Sequence, residues 1–396
     1  MINEEKIATE QFILSGTKRL RCGMTTGSCA AIASLAATQA ALTGTFPQYA
    51  KITVPKGWIA RAEIIESKII SKMKASCAVR KDAGDDPDAT DSMLIFAEVF
   101  LRADEILSKK KNLSVTITGG TGIGRVTKSG LDQKPGEYAI NSVPRKMIEE
   151  AVRSVCSEHG FFGKAEIKIY APDGAEIAKK TFNPALGIEG GISILGTSGV
   201  VEPMSEEALV DAIEVEARVI SQSLKDKKIR PLIITPGNFG EDFIRSREEL
   251  AGIPVLTCAN FIGKSIDFAS AYDFTHVIFV GHAGKFVKLA GGIFNTHSHI
   301  ADCRMEIIAS HAALLGAESF DIARIFECAT VEAAFSVLDE TGLTKKVSVS
   351  LARAACGKIA RRVQGKYKFS FIMFTKERGI LCESSNFNFS ELREKI

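Results

Sequence analysis

The chain has 396 residues, 45% of them hydrophobic and 24% charged, with a formal net charge of +3. That length exceeds what one hydrophobic core usually serves, and the composition excludes disorder as the default. The small net charge excludes general nucleic-acid binding as a starting point, and no run approaches the roughly 20 apolar residues of a membrane span. The N-terminal stretch is charged and lacks the pattern of a secretory leader. The nine cysteines are scattered, odd in number and never spaced C-x-x-C. They read as reduced residues of a cytoplasmic protein, with no zinc or iron–sulfur site.

In chain order, residues 21–27 read as a polar loop, with Thr26 or Ser28 capping an alanine-rich helix over 28–42. Short strands are expected at 51–54, 61–65, 74–79, 93–100, 113–118 and 165–171. A helix is expected over 145–159, with Pro144 at its first position. A glycine-dense stretch near Gly187 marks a change of character, so domains are expected at 1–190 and 191–396. After a helix over 205–224, apolar runs at 231–235, 254–257 and 276–280 alternate with helices over 239–250, 262–269 and 286–289. That alternation predicts a mainly parallel sheet covered on both faces. Helices over 302–315, 320–328, 331–338 and 345–364 follow, then a strand over 368–374 and a turn at 376–379.

Ligands of parallel sheets bind beyond the carboxyl ends of the strands. Three glycine-bearing loops fall there, carrying Gly237, Asn238 and Gly240, then Asn260, then Gly281, His282, Gly284 and Lys285. Glycine lets a ligand approach the backbone, and helix amides then meet its oxygens. The stretch GGTGIG at 119–124 resembles a dinucleotide fingerprint, but no helix opens from it, and that reading is rejected. The cations near it, Arg125, Lys128 and Arg145, suit ligand carboxylates. So do Lys285, Lys288 and Arg304 further on. The loop KDAGDDPDAT at 81–90 fails the calcium-loop pattern. Asp85 or Asp86 in it is a candidate for ribose contact or for a general base whose pKa crowding would raise. His282 is the other candidate for catalysis. His297 and His299 would share a face on a strand, but no third ligand has metal spacing, so polar contact with a ligand is the reading for His297.

Eight stretches together carry a resemblance. They are RCGMTTGSCA (21–30), KDAGDDPDAT (81–90), GGTGIGRVTKSGL (119–131), PGEYAINSVPRKMI (135–148), NPALGIEGGISILGTSGVVEPMS (183–205), TPGNFG (235–240), NFIG (260–263) and VGHAGKFVKLAGGIFNTHSHIADCRMEI (280–307). In this order the chain resembles the cobalt-precorrin-5B C1-methyltransferase family of the anaerobic corrin pathway. Met24 stands where an aromatic is usual, and Ala259 where a serine is common. The resemblance implies an α+β N-terminal domain and a Rossmann-like α/β C-terminal domain. It implies methyl transfer from S-adenosylmethionine to C1 of a cobalt-containing tetrapyrrole, giving cobalt-precorrin-6A. Cobalt would arrive within the substrate, with no protein-bound metal. The partners implied are the tetrapyrrole alone, with neither nucleic acid nor membrane, and a homo-oligomer is left open.

Overall fold

The alanine-rich segment forms the helix Thr26–Thr43 in the computed structural model, which describes residues 6–385, 387 and 392. Alanine favours helix and presents almost no bulk, so this helix can be buried on every side. It packs against the helix Ser142–Glu158 and against two central strands of a five-stranded sheet. The sheet runs in the order Ile65–Ser71, Lys74–Arg80, Leu94–Ala103, Gly163–Tyr170, Leu113–Gly119. Only the last pair is parallel. The chain between those two strands includes the helix Ser142–Glu158, the crossover that parallel neighbours require. Along Leu94–Ala103 the pleat is legible: Ile95, Ala97, Val99 and Leu101 are buried, and the residues between them are half-buried.

Two local expectations shift. Thr25, not Thr26 or Ser28, caps the first helix, its hydroxyl accepting from the Ser28 amide at 3.2 Å. The helix at Ser142 starts earlier than expected, so Pro144 is its third residue, still within the turn whose amides lack helical acceptors. Among the strands that went unread in the first unit are Phe12–Ser15 paired with Lys18–Arg21, and Ile65–Ser71 at the sheet edge. Their residues are mostly exposed and carry no apolar alternation.

The chain divides into Met1–Glu206 and Glu207–Ile396, later than the 190/191 division expected from composition. The glycine-dense stretch belongs to the first unit because it pairs there. Ile188–Glu189 pairs with Arg125–Val126, and Val200–Val201 with Gly23–Met24.

In the second unit the sheet order is Val255–Thr257, Pro231–Thr235, His276–His282, Lys368–Thr375, Gly379–Ser385. The first four strands are parallel and the last is antiparallel. Leu232, Ile234, Val277, Phe279, Phe371 and Met373 enter a core with Ile262, Phe286 and Leu351 from helices on one face. Ile233, Ile278, Val280, Ile372 and Phe374 meet Ile244, Leu250 and Ile253 on the other. Both faces are covered, which is why the strands read as unbroken apolar runs. The chain is thus a mixed α/β protein with a mainly parallel sheet toward its C-terminus. The helix expected over 239–250 is the helix Asn238–Arg245 followed by a separate turn at Glu248–Leu250. The edge strand Gly379–Ser385 was unread because it is largely polar. All nine cysteines are unpaired. Among the described residues no helix is long and apolar enough to cross a membrane.

Gly122 holds the turn after Leu113–Gly119. Its φ is +75°, and a Cβ there would lie 1.7 Å from the Ala171 carbonyl oxygen. Gly122→Ala is expected to destabilise the first unit by about 2 kcal/mol or more, read as a lower urea midpoint at unchanged slope.

Candidate functional site

Four of the matched stretches converge in the first unit. The amide of Gly27 donates to Leu195 O at 3.0 Å, and Ser28 Oγ donates to Gly199 O at 2.6 Å. Thr26 Oγ1 accepts from the Leu195 amide at 2.9 Å. Met24 N donates to Asp82 O at 2.7 Å, and Gly124 N to Ile192 O at 2.9 Å. The segments carrying the motifs are therefore one knot of loops tied largely by main-chain hydrogen bonds.

Within it the aspartates have separate tasks. Lys81 is 2% exposed and its ammonium lies 2.6 Å from Asp88 Oδ2. Asp88 Oδ1 accepts from the amide and hydroxyl of Thr90. Burial opposes ionisation of Asp88, but the Lys81 charge and these donors outweigh it and hold the carboxyl below its usual range. Asp82 behaves alike: burial is outweighed by the two-pronged Arg21 guanidinium, at 2.7 and 2.8 Å, and by the Gly84 amide. Asp85 accepts from the Arg21 amide at 2.6 Å, Asp86 from the Met204 amide at 3.0 Å, and Asp91 from the Ala83 amide at 2.8 Å. The two carboxyls held low, Asp82 and Asp88, are those with a cation and an amide or hydroxyl donor of their own.

The cations nearby also serve the backbone. Arg125 donates to Gly136 O at 2.7 Å and lies 4.0 Å over the Tyr138 ring, while remaining exposed. Lys128 donates to Ala185 O at 3.1 Å and is exposed too. Arg145 is half-buried and donates to Ile140 O and Ile117 O. Burial lowers its pKa, with Glu137 and Asp132 opposing.

In the second unit the chain passes from Pro231–Thr235 to Val255–Thr257 on one side, then to His276–His282 on the other. The order reverses between the loops after Thr235 and His282, where a parallel sheet leaves a crevice. The sequence-derived residues Gly237, Asn238, Gly240, Gly281, His282 and Gly284 flank this reversal. Gly237 has φ +135° and leads into the helix at Asn238, which is exposed. A Cβ on Gly240 would lie 1.7 Å from Thr235 Oγ1. That hydroxyl is fully buried and has no partner among the described residues. His282 caps the helix Ala283–Ala290, Nδ1 accepting from the Gly284 amide at 3.1 Å. The proton of the neutral ring therefore sits on Nε2, which faces Glu332 Oε1 at 3.7 Å. Burial holds His282 below its usual pKa, Lys376 adding to the effect and Glu332 opposing it.

Lys285 donates to Pro236 O at 2.9 Å and Ala259 O at 3.1 Å, tying two of the loops together. Burial lowers its pKa, with Cys258 opposing and Lys288 adding to the fall. Asn260 reaches Thr296: its main-chain oxygen accepts at 2.9 Å and its Oδ1 at 3.4 Å. Lys288 was expected to hold a ligand carboxylate. It is 3% exposed and donates to Thr296 O and Ala301 O, so it braces the 294–303 loop instead. Arg304 pairs with Asp302. His297 and His299 lie in a turn, not on a strand, with His297 Nδ1 accepting from the His299 amide at 3.2 Å. No group of three metal-ligating side chains occurs among the described residues.

Sequence reasoning missed Thr235, Phe239, Glu332, Lys376 and Arg378, which lie at or around the reversal. Lys376 Nζ lies 3.8 Å from the Phe239 ring centroid, and that ring is 5.8 Å from the His282 ring. Arg378 pairs with Glu332 and Asp339. Glu332 carries no local signal in the sequence, since it comes from a helix 50 residues after His282.

The family described as CbiD matches residues 14–203, and its C-terminal domain matches residues 295–385. A protein of Ruminiclostridium cellulolyticum named cobalt-precorrin-5B C(1)-methyltransferase is 46% identical, covering 92% of each chain. One of Alkaliphilus metalliredigens, named likewise, is 41% identical over 95% of each. A 1.9 Å crystal structure described as cobalamin biosynthesis protein (cbiD) from Archaeoglobus fulgidus is 27% identical, covering 74% of this chain and 88% of that one, with a TM-score of 0.39. The chain belongs to the CbiD family.

Asp88→Asn leaves the Lys81 ammonium buried without its counter-charge. A loss of about 3 kcal/mol is expected in denaturant titration, and adding Lys81→Met should restore most of it. For His282 the sign follows from its lowered pKa: the folded state binds the proton less readily than the unfolded state. Its contribution is complete above the unfolded value of 6.5 and is lost as pH falls below it. His311 shifts the same way through burial. His282→Asn keeps a capping side chain, so the fall in Tm on acidification below about pH 6.5 should become shallower in that variant.

Proposed function

We propose that this chain is an S-adenosylmethionine-dependent methyltransferase that methylates C1 of cobalt-precorrin-5B to give cobalt-precorrin-6A. The observation that carries the reading is the identity of 46% across 92% of a relative bearing that enzyme name. Cobalt is part of the tetrapyrrole substrate. The enzyme acts in the cytoplasm, in keeping with nine unpaired cysteines. Its first unit is α+β and its second Rossmann-like, the strand-order reversal supporting the latter.

The crevice at the reversal suits the methyl donor. Gly237 leaves open space where a side chain would stand, and Gly240 leaves room for the buried Thr235 hydroxyl, an unused polar group. Asn238 and Asn260 offer amide groups for the ribose and amino-acid portions. His282 orients the Gly284 amide, and Lys285 fixes the distance between neighbouring loops. The donor supplies the methyl group and a positively charged sulfur as its leaving group. Because both His282 nitrogens face protein groups, the ring acts through loop geometry rather than proton transfer. Arg125 and Lys128, exposed in the first unit, are the cations for the tetrapyrrole's carboxylates. In the second unit, His297 and Arg304 are the polar groups suited to contact a ligand. Asp85 and Asp86 hold the acidic loop in shape by accepting from main-chain amides. Transfer then depends on holding two reactants in line.

Anaerobic incubation with cobalt-precorrin-5B and methyl-labelled S-adenosylmethionine should place label in the macrocycle. Pigment bound without label would make the chain a carrier. Calorimetry should detect S-adenosylhomocysteine and not NADH, and the reverse would indicate an oxidoreductase.

A further inference from the structure

Phe239 is the second residue of the helix Asn238–Arg245, at the mouth of the reversal. Its ring is 51% exposed and belongs to neither apolar core of the second unit. Packing therefore does not explain a phenylalanine here. Its neighbours are functional in kind: the buried orphan hydroxyl of Thr235, the side-chain-free Gly240 and the His282 ring 5.8 Å away. One face of the ring already receives a cation, the Lys376 ammonium at 3.8 Å from its centroid. Lys376 comes from the turn after Lys368–Thr375, the strand next to His276–His282.

An aromatic face attracts cations through its quadrupole, and more strongly where water is excluded. A sulfonium spreads its charge over the attached carbons and is weakly hydrated, so it suits such a face better than an ammonium. We propose that Phe239 recognises the sulfonium of the methyl donor, and that Lys376 occupies the same ring face until the donor displaces it. The proposal rests on the reading of the crevice as the donor site. It makes Phe239 the residue that separates donor from product: the donor carries the positive charge, whereas the product thioether is neutral and gains less from the ring.

Calorimetry on the full chain tests this with S-adenosylmethionine and S-adenosylhomocysteine as separate ligands. Phe239→Leu should weaken the first about 3- to 30-fold and leave the second within about 2-fold. Phe239→Tyr, which keeps the ring, should retain the wild-type ratio of the two affinities. Lys376→Gln removes the competing cation and should tighten the first alone. Equal weakening of both ligands by Phe239→Leu, no weakening of either, or weaker donor binding in Lys376→Gln would each overturn the proposal. Hydrogen exchange of the wild type with S-adenosylhomocysteine keeps the two readings apart. Slowed exchange at 237–240 and 281–285 upholds the crevice whatever Phe239 does. Unchanged exchange there removes the crevice reading and this inference together.

Discussion

Backbone amides and carbonyls that leave regular structure must still find partners when they are buried. This constraint governs both units. The matched loops are long, glycine-rich and partly buried, so they carry many main-chain groups with no helix or strand to satisfy them. The charged side chains in these loops meet that demand. Asp85, Asp86 and Asp91 accept from amides, while Arg145, Lys285 and Lys288 donate to carbonyls. A charge-assisted bond to the backbone is stronger than a neutral one, and a mobile loop becomes a fixed surface.

The same constraint explains where sequence reading succeeded. Apolar runs such as Pro231–Thr235 and the alanine-rich helix are decided by burial, and burial leaves a periodicity that can be counted. The crevice was legible for the same reason: strand ends and glycines are visible in one dimension, so Gly237, Gly240 and His282 were placed at the reversal. Partners were not legible. Nothing near Lys288 announces that the Thr296 and Ala301 carbonyls will accept its hydrogen bonds, and nothing near His282 announces Glu332. A charge beside glycines looks the same whether it faces a ligand or a carbonyl.

The two units thus use polarity in different ways. In the first, ionised groups lock loops to one another, and only Arg125 and Lys128 among the candidate cations remain exposed. In the second, the parallel sheet supplies rigidity, and the polar groups at its edge are left with unmet capacity. The Thr235 hydroxyl is buried with no hydrogen-bond partner among the described residues, and Glu332 Oε1 has only the His282 ring, at 3.7 Å. Such capacity is costly in a core and useful at a binding edge.

The helix Thr26–Thr43 has a bearing on synthesis as well as architecture. Thr26 is bonded to Leu195, 169 residues later, and Gly23–Met24 lies in register with Val200–Val201. The earliest helix of the chain is therefore closed by its latest segment within the unit. Contacts so distant along the chain slow folding, because the intervening loop must be ordered before they form. On the ribosome the first unit stays open until residue 201 has emerged, its alanine-lined helix exposed meanwhile to chaperones or to misassembly. A fragment ending at residue 190 would lack the segment that closes it.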